Sequence, residues 1–193
     1  SLQRKDILWI SNDIPAFHLV KNVQKHILYA SKANREGHFI VLRKAMHHLR
    51  DGGTLFYIAS GARDPDPGVF ADASGYIDRW LGTFDSFFKY VPGLRVQTAV
   101  ISHVLTPYWA RHPVTRLGSN RRLKLILAEF SQMIFQVTHP GRLMTTPAIS
   151  FGEACTQEKM RRRCKGQDLR SALIRMEKEL MQEHLASFPM STG

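Results

Sequence analysis

The chain lacks any apolar run near the roughly 18 residues a membrane-crossing helix needs, so a peripheral or soluble protein is expected. Cysteine is scarce. Cys155 and Cys164 form neither a Cys-x-x-Cys pair nor a spaced Cys/His cluster, which argues against a disulfide framework and a zinc site; two free thiols in a reducing compartment are expected. Glycine and proline are not enriched enough for disorder, and no repeat or low-complexity tract is visible. Acidic residues are few, 16 against 27 Lys and Arg, leaving a formal charge of +11 that attracts anionic partners at long range. The exception is Asp51 to Pro92, where six aspartates outnumber Arg63, Arg79 and Lys89. At 193 residues one sizeable core is expected, with little room for two domains.

Periodicity predicts alternating strands and helices. Ile7–Ile10, Ile27–Ala30 and Thr54–Ala59 are short apolar runs bounded by turn residues, the pattern of buried strands, and Val96–Ser102 is a fourth. A short helix is expected within Pro15–Gln24, followed, after the strand at Ile27, by a polar loop from Ser31 to Gly37. Phe39, Leu42, Ala45, Met46 and Leu49 repeat at three and four, predicting an amphipathic helix that Gly52-Gly53 stops. Further helices are expected over Ile77–Tyr90, over Leu123–Val137 with Leu123, Leu127, Phe130, Ile134 and Val137 on one side, and over Gln157–Leu185. A short strand is expected at Ala148–Phe151. Alternation of this kind predicts an α/β fold, a mostly parallel sheet flanked by helices, over residues 1–152, with a basic helical tail over 153–193.

The stretch from Gly52 to Gly68 reads as a turn, an apolar strand and a Gly/Pro-rich loop carrying Arg63, and loops at strand ends are where α/β proteins build sites. With the preceding helix bearing Arg43, Ala45 and Leu49, this layout resembles glycerolipid acyltransferases, the phospholipid/glycerol acyltransferase family, around their Phe-Pro-Glu-Gly-Thr-Arg motif. Gly61 and Arg63 agree with it. Ile58, Ala59, Ser60 and Ala62 depart, Ser60 standing where the family has Glu. Pro65-Asp66-Pro67, Trp80, Phe87-Phe88, Val91-Pro92, Ser102 to Pro107, Arg111 to Val114 and Pro147 to Gly152 resemble a divergent bacterial branch, so the likeness covers about Ile7 to Gly152. That branch has Gly where this chain has His103.

The resemblance implies transfer of a fatty acyl group to a glycerophospholipid-type hydroxyl, with acyl-coenzyme A or acyl carrier protein as donor and no bound cofactor. It implies that Arg35 holds the acceptor phosphate, a role suited to the planar guanidinium fork. Gly61, Arg63 and Ser60 would line the anionic pocket. The family's base is a His-x-x-x-x-Asp pair, yet none of the nine histidines is followed by Asp five places on; His47 precedes Asp51 by four. No catalytic residue is therefore assigned, and the chain alone is expected to be inactive. Either the motif precedes Ser1, as Asp13-Ile14-Pro15-Ala16-Phe17 suggests, or the base has been lost. His103 and His112 are candidate replacement bases, but neither has a carboxylate nearby in sequence to orient it. Ser60 does not sit in a Gly-x-Ser-x-Gly elbow, so a hydrolase is disfavoured.

Two basic features remain. Arg161-Arg162-Arg163, Lys165, Arg170, Arg175 and Lys178 on a weakly amphipathic helix suit an anionic membrane surface. Arg111, Arg116, Arg121, Arg122 and Lys124 form a second patch. Nucleic acid is disfavoured because no recognition motif accompanies the cations. The expected partners are a glycerophospholipid precursor and the cytoplasmic face of a membrane in phospholipid biosynthesis. The alternative is a non-catalytic lipid- or anion-binding protein on the same scaffold.

Overall fold

The computed structural model describes residues 6–12, 18, 21–30, 35–61, 63–80, 83–163 and 168–191. In chain order the elements are β1 (Ile7–Asn12), α1 (Lys21–Gln24), β2 (Ile27–Ala30), α2 (Arg35–Arg50), β3 (Thr54–Tyr57), α3 (Ser74–Ile77), α4 (Thr83–Tyr90), β4 (Arg95–Val96) and β5 (Ala99–Ser102). There follow α5 (Pro107–Arg111), a 3₁₀ segment (Pro113–Leu117), α6 (Arg121–Thr138), β6 (Ala148–Phe151), β7 (Cys155–Thr156), α7 (Gln157–Arg163) and α8 (Leu169–Ser187). The fold is mixed α/β. Two compact units divide it, Ser1–Gly61 with Leu81–Leu94 and Ala62–Trp80 with Arg95–Gly193.

The first unit holds a three-stranded parallel sheet in the order β2-β1-β3, its central strand pairing Ile10 with Leu28 on one side and Tyr57 on the other. Strand parity then puts Leu28, Ala30, Leu55 and Tyr57 on the face where Ile10, Val41, Ala45 and Phe87 make the core. Trp9 and Phe56 meet edge-to-face on the opposite side, where Ile7, Phe56 and Ile58 are exposed. Helix α2 buries a face centred on Ala45. Phe39, expected on the buried stripe, is 68% exposed because Val41 lies nearer the middle of that face. The helix also begins earlier than expected, at Arg35 rather than after Gly37. Its end is tightly built: His48 Nε2 donates to Asp6 O (2.8 Å) and more weakly to Thr54 O (3.2 Å). A Cβ on Gly53 would stand 2.2 Å from that ring, so only glycine fits there.

In the second unit β5 pairs antiparallel with β6, and β4 with β7, in separate two-stranded sheets. The expected fourth strand of a mostly parallel sheet is thus two antiparallel strands, interrupted at Gln97 and Thr98, whose polar side chains do not continue the apolar run. The parallel part of the expectation holds for β1, β2 and β3 alone. The helix expected over Ile77–Tyr90 is two helices: Arg79 and Trp80 bond back only three residues, as 3₁₀ turns do, before residues 81–82, which lie outside the described set. Helix α8, capped by Asp168 onto Ser171 N (2.8 Å), packs Leu180 and Met181 with Ile77 and Val100. Segment 153–193 is built into this unit, since Cys155, Met160 and Leu173 are fully buried. Cys164 lies outside the described residues.

Candidate functional site

In the second unit the loop after β3 carries Arg63 against α6. The guanidinium is ion-paired to Glu129 and stands 5.6 Å from the Phe130 ring centroid, in cation–π range. Each partner of the pair keeps about a third of its side-chain surface, 35%, exposed. Burial pushes the Glu129 carboxyl above its usual value; the Arg63 charge opposes this, and Asp66 adds to it. One carboxylate occupies one side of a fork with five N–H donors, so Arg63 retains donors for phosphate oxygens.

Asp66 has another task. Its Oδ1 accepts from Gly68 N (2.8 Å) and His103 N (3.0 Å), its Oδ2 from Val104 N (2.7 Å) and Leu105 N (2.9 Å). Four backbone donors around one carboxylate fix the turn leaving β5, where His103 is held at φ 59°, a left-handed conformation costly for a non-glycine residue. Gln132, 5% exposed on α6, secures the same turn by accepting from Thr106 N (2.8 Å) and donating to Val104 O (2.6 Å).

Beyond the turn, side chains form a hydrogen-bonded row. Ser150 Oγ lies 2.7 Å from His184 Nδ1, His184 Nε2 2.7 Å from Ser102 Oγ, Ser102 Oγ 2.7 Å from His103 Nδ1, and His103 Nε2 3.1 Å from Pro189 O. A carbonyl only accepts, so His103 donates from Nε2 and accepts at Nδ1 from Ser102. Ser102 in turn accepts from His184 Nε2–H, and Ser150 donates to His184 Nδ1. Ser102 and His184 are buried, and burial holds His184 below its usual pKa, helped by His103. A hollow of about 460 Å³ opens beside His103, lined by Thr146, Ile149, Phe188 and Pro189 among others. Neither ring nitrogen of His103 is free to take a proton from a substrate there. His112 caps the 3₁₀ segment, its Nδ1 accepting from Val114 N (3.2 Å).

The sequence-expected residues fall as follows. Arg35 is the first residue of α2 and its side chain lies outside the described residues, as do Asp13 to Phe17 and Ala62. Ser60 is half-buried and has a partner; Gly61, at φ 61°, closes a turn onto Ile58 O (2.9 Å) in the first unit. His47 and Asp51 pair in the open at the end of α2. Part of the basic face expected of the C-terminal helix is engaged: Lys178 pairs with Asp78, Arg170 donates to its backbone oxygen, and Arg162 pairs with Glu158. Its apolar stripe, Leu173 and Leu180 included, is in the core. Of the apolar side read from the sequence on α6, Leu123, Phe130, Ile134 and Val137 are outward and Leu127 is half-buried, because Leu125, Ala128 and Gln132 on the opposite side make the contacts.

Asp66, Glu129 and Gln132 are the residues that sequence reasoning did not assign. Asp66 left a signal, since Asp-Pro-Gly is an Asx-turn pattern; Glu129 and Gln132 left none stronger than polar residues within an apolar helix. Among the described residues no group of three His, Cys, Asp or Glu side chains stands close enough to hold a metal ion. No described helix is long and apolar enough to cross a membrane. No family model, no curated protein and no solved structure matches the chain.

Proposed function

We propose that this protein is acyltransferase-like and receives a phosphorylated glycerolipid, with Arg63 as a phosphate contact and a thioester as the acyl donor of the corresponding reaction. The observation that carries this reading is the Arg63 guanidinium: it is aimed by Glu129 and Phe130, partly open to solvent, and follows Gly61 at the spacing that the resemblance requires. A lipid phosphate would share or displace Glu129, the carboxylate to which Arg63 is ion-paired. Arg35 carries a phosphate-binding role through the resemblance alone. Acyl-coenzyme A or acyl carrier protein, a cytoplasmic membrane face and phospholipid biosynthesis belong to the same proposal.

Calorimetric titration with a lysophosphatidate and with the matching uncharged monoacylglycerol tests it. The phosphate-bearing lipid should bind more tightly, and Arg63→Gln should weaken it by about tenfold or more, the scale of a lost charged hydrogen bond, while leaving monoacylglycerol unchanged. Equal binding of the two lipids would remove Arg63 from the site. The second reading, a non-catalytic lipid- or anion-binding protein, is favoured by a specific observation: His103 has both nitrogens engaged and His112 is a cap, so neither offers a ready base. Release of coenzyme A from acyl-coenzyme A in the presence of lysophosphatidate would overturn the second reading; its absence is expected of this chain alone on either.

A further inference from the structure

Helix α6 is apolar on two opposite sides. Leu125, Ala128 and Gln132 pack inward, whereas Leu123, Phe130, Met133, Ile134 and Val137 remain exposed, Ile134 by 57% and Val137 by 75%. Spaced 7, 4 and 3 residues apart, Leu123, Phe130, Ile134 and Val137 make one stripe about 21 Å long at the rise of an α-helix. Apolar stripes this continuous are rare on the free surface of soluble proteins.

The charge carried by this segment is almost all of one sign, although Arg121 is ion-paired to Asp72. From Val104 to Gly152 the sequence holds Arg111, Arg116, Arg121, Arg122, Lys124 and Arg142 against a single acid, Glu129, which is paired to Arg63. On the helical wheel Arg122 and Lys124 flank the stripe on either side at its start, and the preceding 3₁₀ segment adds Arg116 and a 77% exposed Leu117. Among the described residues, Arg116, Arg122 and Lys124 have no ion-pair partner. Arg63 sits at the border of the same face, over Phe130.

We propose that this outward face of α6 seats the protein on an anionic bilayer, its apolar stripe lying between headgroups and its flanking cations at the level of the lipid phosphates. An aliphatic stripe rules against nucleic acid, which offers no apolar phase, and a second copy of a chain carrying +11 would bring like charges together. The inference deepens the proposed function, naming the phase from which a lipid phosphate reaches Arg63. Its failure is distinguishable, because vesicle binding requires no acceptor in the Arg63 site.

The test is co-sedimentation of the whole chain with vesicles of phosphatidylcholine alone or mixed with phosphatidylglycerol. The wild type should bind the anionic vesicles and release as salt rises. Ile134→Asp with Val137→Asp should reduce partitioning at least tenfold, and Arg122→Glu with Lys124→Glu at least as much, each cation being worth roughly fivefold at such a surface. All four positions are exposed, and circular dichroism with urea unfolding checks that the variants fold; the charge pair serves should the aspartate pair not. A wild type that stays in the supernatant overturns the proposal, as does an aspartate pair that binds anionic vesicles like the wild type. Concentration-dependent dimers without lipid, abolished by the aspartate pair, would also overturn it by assigning the face to a second copy.

Discussion

Glu177 is a carboxylic acid in the core, 5% exposed on the buried side of α8. Burial raises its pKa to about 7; the nearby Thr98 hydroxyl opposes this, and Asp64 adds a smaller push upward. Glu177 Oε2 has no hydrogen-bond partner, so a charge placed there is poorly compensated. In the unfolded chain the group titrates near 4.5. The folded state therefore binds the extra proton between these values, and stability falls as pH rises through that window, reaching a lower plateau above about 7. The separation of the two values corresponds to at most about 3 kcal/mol. Glu177→Gln removes the titration and keeps the shape. Urea unfolding of both proteins between about pH 4 and pH 8.5 should show the variant gaining up to about 3 kcal/mol relative to wild type across the window. Any constant penalty from an unpaired amide appears at both ends and subtracts out. His184, which burial holds low, destabilises the fold as pH falls below its ordinary value, but it is common to both proteins. A wild-type-to-variant difference that is flat with pH, within about 0.5 kcal/mol, would refute the burial of a neutral acid at this position.

Two further substitutions test the architecture. Asp66→Asn replaces an oxygen that accepts from Val104 and Leu105 with an amide that donates, and should cost about 2–4 kcal/mol in urea unfolding; Pro65→Ala, beside it but outside the hydrogen bonds, is the control. Gly53→Ala drives a methyl into the His48 ring, so it should lower thermal stability by about 2 kcal/mol or more, and His48→Ala should relieve much of that loss in the double variant.

How much of this was legible depended on whether the deciding contact was local. The parallel strands β1, β2 and β3 and the end of α2 follow from apolar runs and from Gly52-Gly53, features within a few residues of each other. The two sides of α6 defeated periodicity because both are apolar: the sequence shows a stripe through Leu123 and Phe130, and only the packing of Leu125 and Ala128 tells which side is inward. Val96–Ser102 reads as one strand, yet pairs with residues more than forty positions away in two sheets, partners that no local pattern announces. At the candidate site, Arg63 is legible as a loop cation, while Glu129, 66 residues on, becomes its partner through tertiary structure alone.

The serine–histidine row ending at Pro189 has a sense imposed from one end. Because a main-chain oxygen terminates it, every hydroxyl and imidazole upstream must point the same way, and no member can reverse unless all do. An added proton on His184 can enter only if the Ser150 hydroxyl turns its own proton away. The last turn of α8 is thereby fastened to both strands of one sheet by uncharged groups that yield together rather than singly, so acid should loosen this corner of the molecule as a unit.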